Sequence, residues 1–280
     1  MTIFEAYNST KQKLKAAGIE DYVFEAKEII KHITGLSAND ILAKYSTPLT
    51  AFQQNNLTAL LHQREVRYPL QYIFGKWDFY GRSFFVGPGV LIPRQDTETV
   101  IDVALDYLKD TEAPEILDLC TGSGCIGITL ALEKYKGRVD LLEKYDEAIA
   151  YAEKNIHLNE AINTTLYKGD IFLGDLSDNK YDLIVSNPPY IPENEMKDTS
   201  PEVAFEPETA LIADDNGLQF YKAIINNYKN ALKQNGMLLF EVGMGEANAV
   251  ADLLKEAGLK DIKIKKDFGG IDRAVSGIYE

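Results

Sequence analysis

Along the first quarter of the chain apolar positions recur at helical spacing. Ile3, Ala6 and Tyr7 share one face, and Phe52, Leu57, Leu60, Leu61 and Arg64 follow the same rhythm before Pro69. With Gly18, Gly35 and Pro48 as the breaks between helices, residues 1–69 are expected to form a small all-helical domain. The pattern then changes. The stretch QYIFGKWDFYGRSFFVGPGVLIP is aromatic, β-branched and rich in glycine, which predicts a β-hairpin linker over residues 70–93. Its Trp77, Phe79, Phe84 and Phe85 suit packing at a domain junction, with a partner-facing aromatic surface as the alternative. Over residues 94–280 helical stretches alternate with short apolar runs: EILDL, RVDLL, TTLYK, YDLIVS, GMLLFEV and DIKIKKD. Such alternation predicts an α/β domain with a mostly parallel sheet and helices on both faces. Ligands of such sheets sit beyond the carboxyl ends of the strands, so chemistry is sought just after EILDL and YDLIVS.

Composition narrows the class. The chain has 280 residues, 45% of them apolar and 26% charged, enough for a buried core with little disorder. No apolar run approaches the roughly 20 residues that span a bilayer. The opening MTIFEAYNSTKQKLKAAG also lacks the order of a signal peptide, so a cytoplasmic location is expected. Two cysteines, Cys120 and Cys125, are too few and too close for a disulfide framework or a zinc site, so reduced thiols and no metal are expected. The net charge of -14 repels phosphate backbones, which favours a protein partner over nucleic acid.

After EILDL comes CTGSGCIG, which places Gly122, Gly124 and Gly127 in GxGxxG spacing. Glycines there allow a tight turn and close approach of backbone to a ligand, which dinucleotides and S-adenosylmethionine both require. Asp118, at the strand's carboxyl end, tilts the reading toward S-adenosylmethionine, whose cationic amino-acid head suits a carboxylate; a helix cap is the alternative. Glu143, ending the next strand, could accept both ribose hydroxyls of either cofactor. Cys120 and Cys125 read as small buried residues rather than nucleophiles.

The most specific element is SNPPYIP, Ser186 to Pro192, directly after an apolar strand. Two prolines fix the backbone and remove two N–H donors, leaving an acceptor-rich loop suited to an amide or amine NH₂. A glutamine amide nitrogen is a poor nucleophile because its lone pair is delocalised. Asn187 could accept one N–H through its side-chain oxygen and the Pro188 carbonyl the other, aiming the nitrogen at a sulfonium methyl. Positioning of this kind supplies on the order of 7 to 11 kcal/mol in well-oriented model reactions. Tyr190 would pack against the planar group, making Asn187, Pro188, Pro189 and Tyr190 the candidate catalytic and substrate-binding residues. A rigid turn is the plainer reading.

With these residues in view, the chain resembles the release-factor glutamine methyltransferases of the HemK/PrmC type over nearly its whole length. The resemblance rests on YPLQYIFGKWDFYG, GVLIPRQDTE, DLCTGSGCIGITLAL, GDIF, DLIVSNPPYIP and FEPETAL. NPPY is shared with nucleic-acid amine methyltransferases; the combination is far more specific. The resemblance implies a helical amino-terminal domain, a hairpin linker and a Rossmann-like methyltransferase sheet of seven strands, the last antiparallel. It implies methyl transfer from S-adenosylmethionine, leaving S-adenosylhomocysteine, to the glutamine of the GGQ motif in peptide-chain release factors, gripped by both domains. Carried over by position, Cys120, Thr121, Gly122, Ser123 and Gly124 would line the cofactor, Glu143 its ribose, and Asp170 and Ile171 the adenine edge. Asn187 to Tyr190 would hold the glutamine.

Some positions depart from the family pattern. Cys120 stands where glycine is common, Glu143 where Asp is frequent, Gln95 where Pro is common, and Ile171 where some relatives carry an aromatic. Arg94 could pair with the cofactor carboxylate or substrate, or structurally with Asp96 or Glu98. Phe205, Glu206 and Pro207 are expected in a loop over the site, and His32, His62 and His157 to have no role. The alternatives are a ribosomal-protein glutamine methyltransferase, an RNA or DNA amine methyltransferase, a nicotinamide dehydrogenase and a non-catalytic cofactor-binding protein. A monomer is expected.

Overall fold

The structure is a computed structural model and describes residues 1–174 and 180–280. The chain divides into two compact units: Met1–Gly75 with Ser200–Phe205, and Lys76–Thr199 with Glu206–Glu280.

The smaller unit holds α1 (Ile3–Ala16), α2 (Tyr22–Thr34), α3 (Ala38–Ala43), α4 (Ala51–Glu65) and α5 (Leu70–Phe74). Thr2 and Thr50 open α1 and α4 with capping boxes, each side chain accepting from the N–H three residues on while Glu5 or Gln53 reaches back. Gly35 closes α2 in the left-handed conformation. Ile3, Ala6, Leu14, Ile29, Ile30, Leu57, Leu60 and Leu61 form the shared core. Phe52 departs from the expected face and is 73% exposed. At 3.6 residues per turn it lies about 80 to 180° around α4 from Leu57, Leu60 and Leu61.

The expected hairpin linker is shorter than residues 70–93. Leu70–Phe74 forms a helical turn that Gly75 ends at φ 71°. The hairpin is β1 (Lys76–Phe79) and β2 (Arg82–Phe85), and it is part of the larger unit. Tyr80 and Gly81 between them both have positive φ, 49° and 71°, as tight two-residue hairpin turns require. Phe79 and Phe84 are fully buried and meet edge-on, whereas Trp77 and Phe85 are only half-buried.

The larger unit continues with α6 (Glu98–Tyr107), β3 (Glu115–Leu119), α7 (Cys125–Glu133), β4 (Arg138–Glu143), α8 (Asp146–Leu158), β5 (Thr164–Lys168) and β6 (Tyr181–Ser186). It ends with α9 (Gln219–Tyr228), β7 (Leu232–Glu241), α10 (Ala247–Glu256), β8 (Lys260–Lys266) and β9 (Asp272–Ile278). The strands form one seven-stranded sheet in the order β5-β4-β3-β6-β7-β9-β8. The pairings among β3 to β7 are parallel, and β9 runs antiparallel between β7 and β8. One face is covered by residues such as Val100, Ile101, Ile128 and Leu130, the other by Tyr221, Ile224, Val250 and Leu254. Successive strands step outward from β3 to β5, then return to the other side of β3 with β6. That reversal opens a crevice at the carboxyl ends of β3 and β6, the usual ligand position in such sheets. Among the described residues no helix is long and apolar enough to cross a membrane.

Candidate active site

Three strand ends build the crevice. The loop after β3 carries positive φ at Cys120 (57°), Gly122 (56°) and Gly124 (81°), turning the backbone before α7 begins. Gly127 matters for packing instead. A Cβ there would stand 2.1 Å from Leu141 Cδ2 and 2.9 Å from Asp118 Oδ2, so only hydrogen lets α7 lie this close to the sheet. Asp118 lies under the loop, 1% exposed, with Oδ2 accepting from Thr121 Oγ1 and from the Gly127 N–H at 2.9 Å. Burial, partly opposed by those two donors, pushes its carboxyl up to about 7. Asn155 of α8 braces the loop from the other side, donating to the Ser123 carbonyl at 2.9 Å while exchanging hydrogen bonds with the Phe85 backbone.

At the end of β4, Glu143 accepts from three backbone donors. Gly122 N is 2.9 Å from Oε2, and Lys144 N and Tyr145 N are 2.8 and 3.0 Å from Oε1. The carboxylate is therefore fixed before any ligand arrives. Beyond β5, Asp170 accepts from the Phe172 N–H at 3.0 Å and pairs with Lys144 at 2.9 Å. Burial would raise the Asp170 carboxyl, but those partners outweigh it and hold it below the usual range.

At the end of β6, Ser186 donates to the Leu119 carbonyl at 2.7 Å, tying this strand end to that of β3 just before Asn187. Tyr190 is half-buried and packed so closely that a Cβ on Gly243 would come within 2.9 Å of its ring. Burial and the nearby Glu241 carboxylate push its phenol up, so it stays protonated. Arg94 pairs with the buried Glu206, whose second oxygen accepts from the Ile92 N–H at 2.9 Å. Its partner is therefore neither Asp96 nor Glu98. Asp96 pairs with Arg273, and Glu98 accepts from the Tyr80 N–H.

These residues surround a cleft of about 870 Å³, its open mouth included. Cys120, Thr121, Gly122, Ser123, Glu143, Asp170, Ile171, Asn187, Pro189 and Arg94 line it together. Asp118, Gly124, Pro188 and Tyr190 are not among the lining residues, although Pro188 stands in the chain between two that are, and Phe205 lies in the smaller unit, edge-on to Tyr68. Sequence reasoning missed Lys144, Tyr145, Phe172 and Phe220, all part of the wall. Lys144 and Tyr145 follow Glu143 directly, so the strand-end rule would have found them. Phe172 and Phe220 meet edge-on at 5.1 Å, supplying the aromatic surface that Ile171 does not. Burial pushes both cysteine thiols up, that of Cys125 to about 12, so neither is poised as a thiolate nucleophile. Among the described residues no cluster could hold a metal ion.

The donor set fits S-adenosylmethionine. Bound in this cleft, it would meet the fixed Glu143 carboxylate, the Asp170 carboxylate, the apolar wall of Phe172 and Phe220 and the backbone of the Cys120–Ser123 turn. The fold agrees. A solved structure described as the hMettl16 catalytic domain with MAT2A 3'UTR hairpin 6 superposes with a TM-score of 0.59 at 18% identity, covering 81% of this chain and 82% of that one. A methyltransferase from Pyrococcus furiosus does so with a TM-score of 0.51 at 16% identity, covering 82% and 98%. These likenesses establish the fold alone. The family model described as "Methyltransferase small domain" matches residues 95–208, and the chain is an S-adenosylmethionine-dependent methyltransferase.

The family is narrower than that class. The model described as "PrmC N-terminal domain" matches residues 5–75. A "Release factor glutamine methyltransferase" from Geobacter sulfurreducens is 36% identical over 277 residues, covering 99% of this chain and 96% of its own length. One of the same description from Escherichia coli is 35% identical over 255 residues, covering 91% of each. The chain belongs to the release factor glutamine methyltransferase family.

Proposed function

We propose that this chain methylates the side-chain amide nitrogen of the glutamine in the GGQ motif of peptide-chain release factors. The observation that carries the reading is that Asn187 and Pro189 line the same cleft as the glycine turn and Glu143. In this reading the Asn187 side-chain oxygen is the acceptor for the amide beside the methyl donor. Bound S-adenosylmethionine supplies an electrophilic methyl. The chain's own groups orient the nucleophile: Asn187 through its side-chain oxygen and Pro188 through its carbonyl accept the two N–H bonds. The prolines keep competing backbone donors out. The nitrogen forms its bond to carbon as the carbon–sulfur bond breaks, and the extra proton on nitrogen leaves to solvent. Tyr190, kept neutral by burial, shapes the wall behind Asn187. Acceptors aimed at the growing positive charge on nitrogen favour the transition state over the ground state.

The acidic balance of the chain favours a protein substrate over nucleic acid, and the reading takes the enzyme as a cytoplasmic monomer. The test is transfer of labelled methyl to purified release factor, beside ribosomal proteins and RNA, with Asn187→Ala as control. Label on the GGQ glutamine that disappears with Asn187→Ala is expected. Label only on ribosomal protein or RNA would overturn the substrate while leaving the methyltransferase reading intact.

A further inference from the structure

The NPPY segment is fastened where it begins and where it ends, and both fastenings lie within the larger unit. At its start Ser186 donates to the Leu119 carbonyl. Past its end the Ile191 N–H donates to the Leu211 carbonyl at 2.8 Å and the Ala213 N–H to the Ile191 carbonyl at 2.9 Å. Between these ties Tyr190 passes through a slot walled by two buried glycines. A Cβ on Gly243 would stand 2.9 Å from the Tyr190 ring and 2.8 Å from Glu246 Oε2. A Cβ on Gly217, whose φ is 87°, would collide with the Tyr190 carbonyl oxygen and with Glu246 Oε1. Tyr190 and Glu246 thus meet both glycines, and neither wall has room for a methyl group.

Glu246 holds the walls together. It precedes α10 and is half-buried. Its Oε2 accepts from the Gly243 N–H at 2.9 Å while its own N–H donates to the Gly243 carbonyl at 3.2 Å, closing the turn between β7 and α10 on itself. Its Oε1 lies against Gly217, so one carboxylate spans both walls. Tyr221 of α9, fully buried, donates to the Glu241 carbonyl at 3.0 Å and pins the strand end from which the turn starts. Gly217, Gly243 and Glu246 are not among the residues that line the cleft, whereas Asn187 and Pro189, just before Tyr190, are.

We propose that Glu246 is a positioning residue for methyl transfer: it holds Gly217 and the Gly243 turn around Tyr190, which fixes the end of the NPPY segment and keeps Asn187 in place. This role rests on the reading of Asn187 as the acceptor for the target amide. The two prolines stiffen the chain between Asn187 and Tyr190, so a displacement of Tyr190 is passed back to Asn187 rather than absorbed. An acceptor must be held within about 0.5 Å to orient a weak nucleophile, and a misplacement of about 1 Å can cost about 100-fold in rate.

The test measures kcat, KM for release factor and Kd for S-adenosylhomocysteine in the full-length enzyme and in Glu246→Ala, Glu246→Gln and Gly243→Ala. Glu246→Ala and Gly243→Ala are each expected to lower kcat at least fivefold at a temperature where they stay folded, with KM and Kd within threefold of the parent. Glu246→Gln still offers an acceptor to the Gly243 N–H and is expected to restore kcat to within threefold of the parent. A purely structural brace would lower Tm in Glu246→Ala and leave kcat of the folded enzyme unchanged. The proposal is overturned if kcat of Glu246→Ala falls less than fivefold, if the Kd for S-adenosylhomocysteine weakens as much as kcat falls, or if Glu246→Gln loses as much as Glu246→Ala. Should Glu246→Ala not fold, Glu246→Asp, whose carboxylate is drawn back by one methylene from the Gly243 N–H, takes its place on the same criteria. A parent enzyme that does not label release factor would instead refute the substrate reading, an outcome visible before any variant is made.

Discussion

Glu143→Gln isolates the contribution of a fixed carboxylate to cofactor binding. The native side chain has two equivalent acceptor oxygens, and backbone donors already occupy both faces: Gly122 on Oε2, Lys144 and Tyr145 on Oε1. An amide has one oxygen. Whichever way it is turned, its NH₂ meets a backbone N–H, which costs the free protein about 1–3 kcal/mol for a donor left unpaired. The same change removes one acceptor from the ribose and makes the other neutral, and charge-assisted hydrogen bonds are about twice as strong as neutral ones. Together these losses in the complex amount to about 2–3 kcal/mol. At 1.4 kcal/mol per decade, the Kd should rise about 30- to 150-fold. Isothermal titration with S-adenosylhomocysteine, which cannot turn over, reads that constant directly. Glu143→Asp keeps the charge and should lie between the two. A Kd for Glu143→Gln within threefold of the parent would refute a ribose-binding role and leave Glu143 as a brace for the glycine turn.

Phe220→Ala removes the partner of Phe172 from the cleft wall; with aromatic pairs contributing about 0.5–1.5 kcal/mol, S-adenosylhomocysteine should bind roughly 2- to 12-fold more weakly, and unchanged affinity would place adenine elsewhere. Gly127→Ala should destabilise the larger unit by about 1–3 kcal/mol, because buried Leu141 must yield to the added methyl; an unshifted melting temperature would show that α7 can move. Asp118 has its carboxyl raised from 3.8 to about 7 in the folded chain, so its contribution to stability is full below the lower value and lost as pH rises through the upper one. Asp118→Asn still accepts the Gly127 N–H and does not titrate. Its melting temperature relative to the parent should therefore climb between about pH 4 and about pH 7 and level off above that, and a pH-independent difference would sink the assignment.

What the sequence made legible follows from physical period and covalent neighbourhood. β3 and β6 are short apolar runs, and the residues directly after each lie at the crevice because a parallel sheet puts its strand ends there. The strand β9 was not legible by pattern and entered only through the family resemblance. It lies between β7 and β8 with Arg273 to Ser276 all buried, so it shows no alternation, and Arg273 and Ser276 interrupt what would otherwise be an apolar run. Leu70–Phe74 misled in the opposite sense: its aromatic and β-branched residues favour strand, but five residues ended by a left-handed glycine close one helical turn.

At the site, the residues hidden from sequence are those whose role is created by folding. Phe220 reaches the cleft from α9, and Glu206 displaces Asp96 and Glu98 as the partner of Arg94 although it is 112 residues away. Asp118 shows the same limit from the other side. Its position at a strand end beside a glycine turn suggests a ligand's cation, yet the residue is buried and the donors to its Oδ2 are Thr121 of that turn and the Gly127 N–H of α7 directly after it. A carboxylate that accepts from the loop's own donors and one that meets a ligand look alike in sequence, since both must stand beside the glycines. Only the direction of the side chain separates them, and in this chain that direction leaves Glu143, one strand away, as the carboxylate that lines the cleft beside the turn.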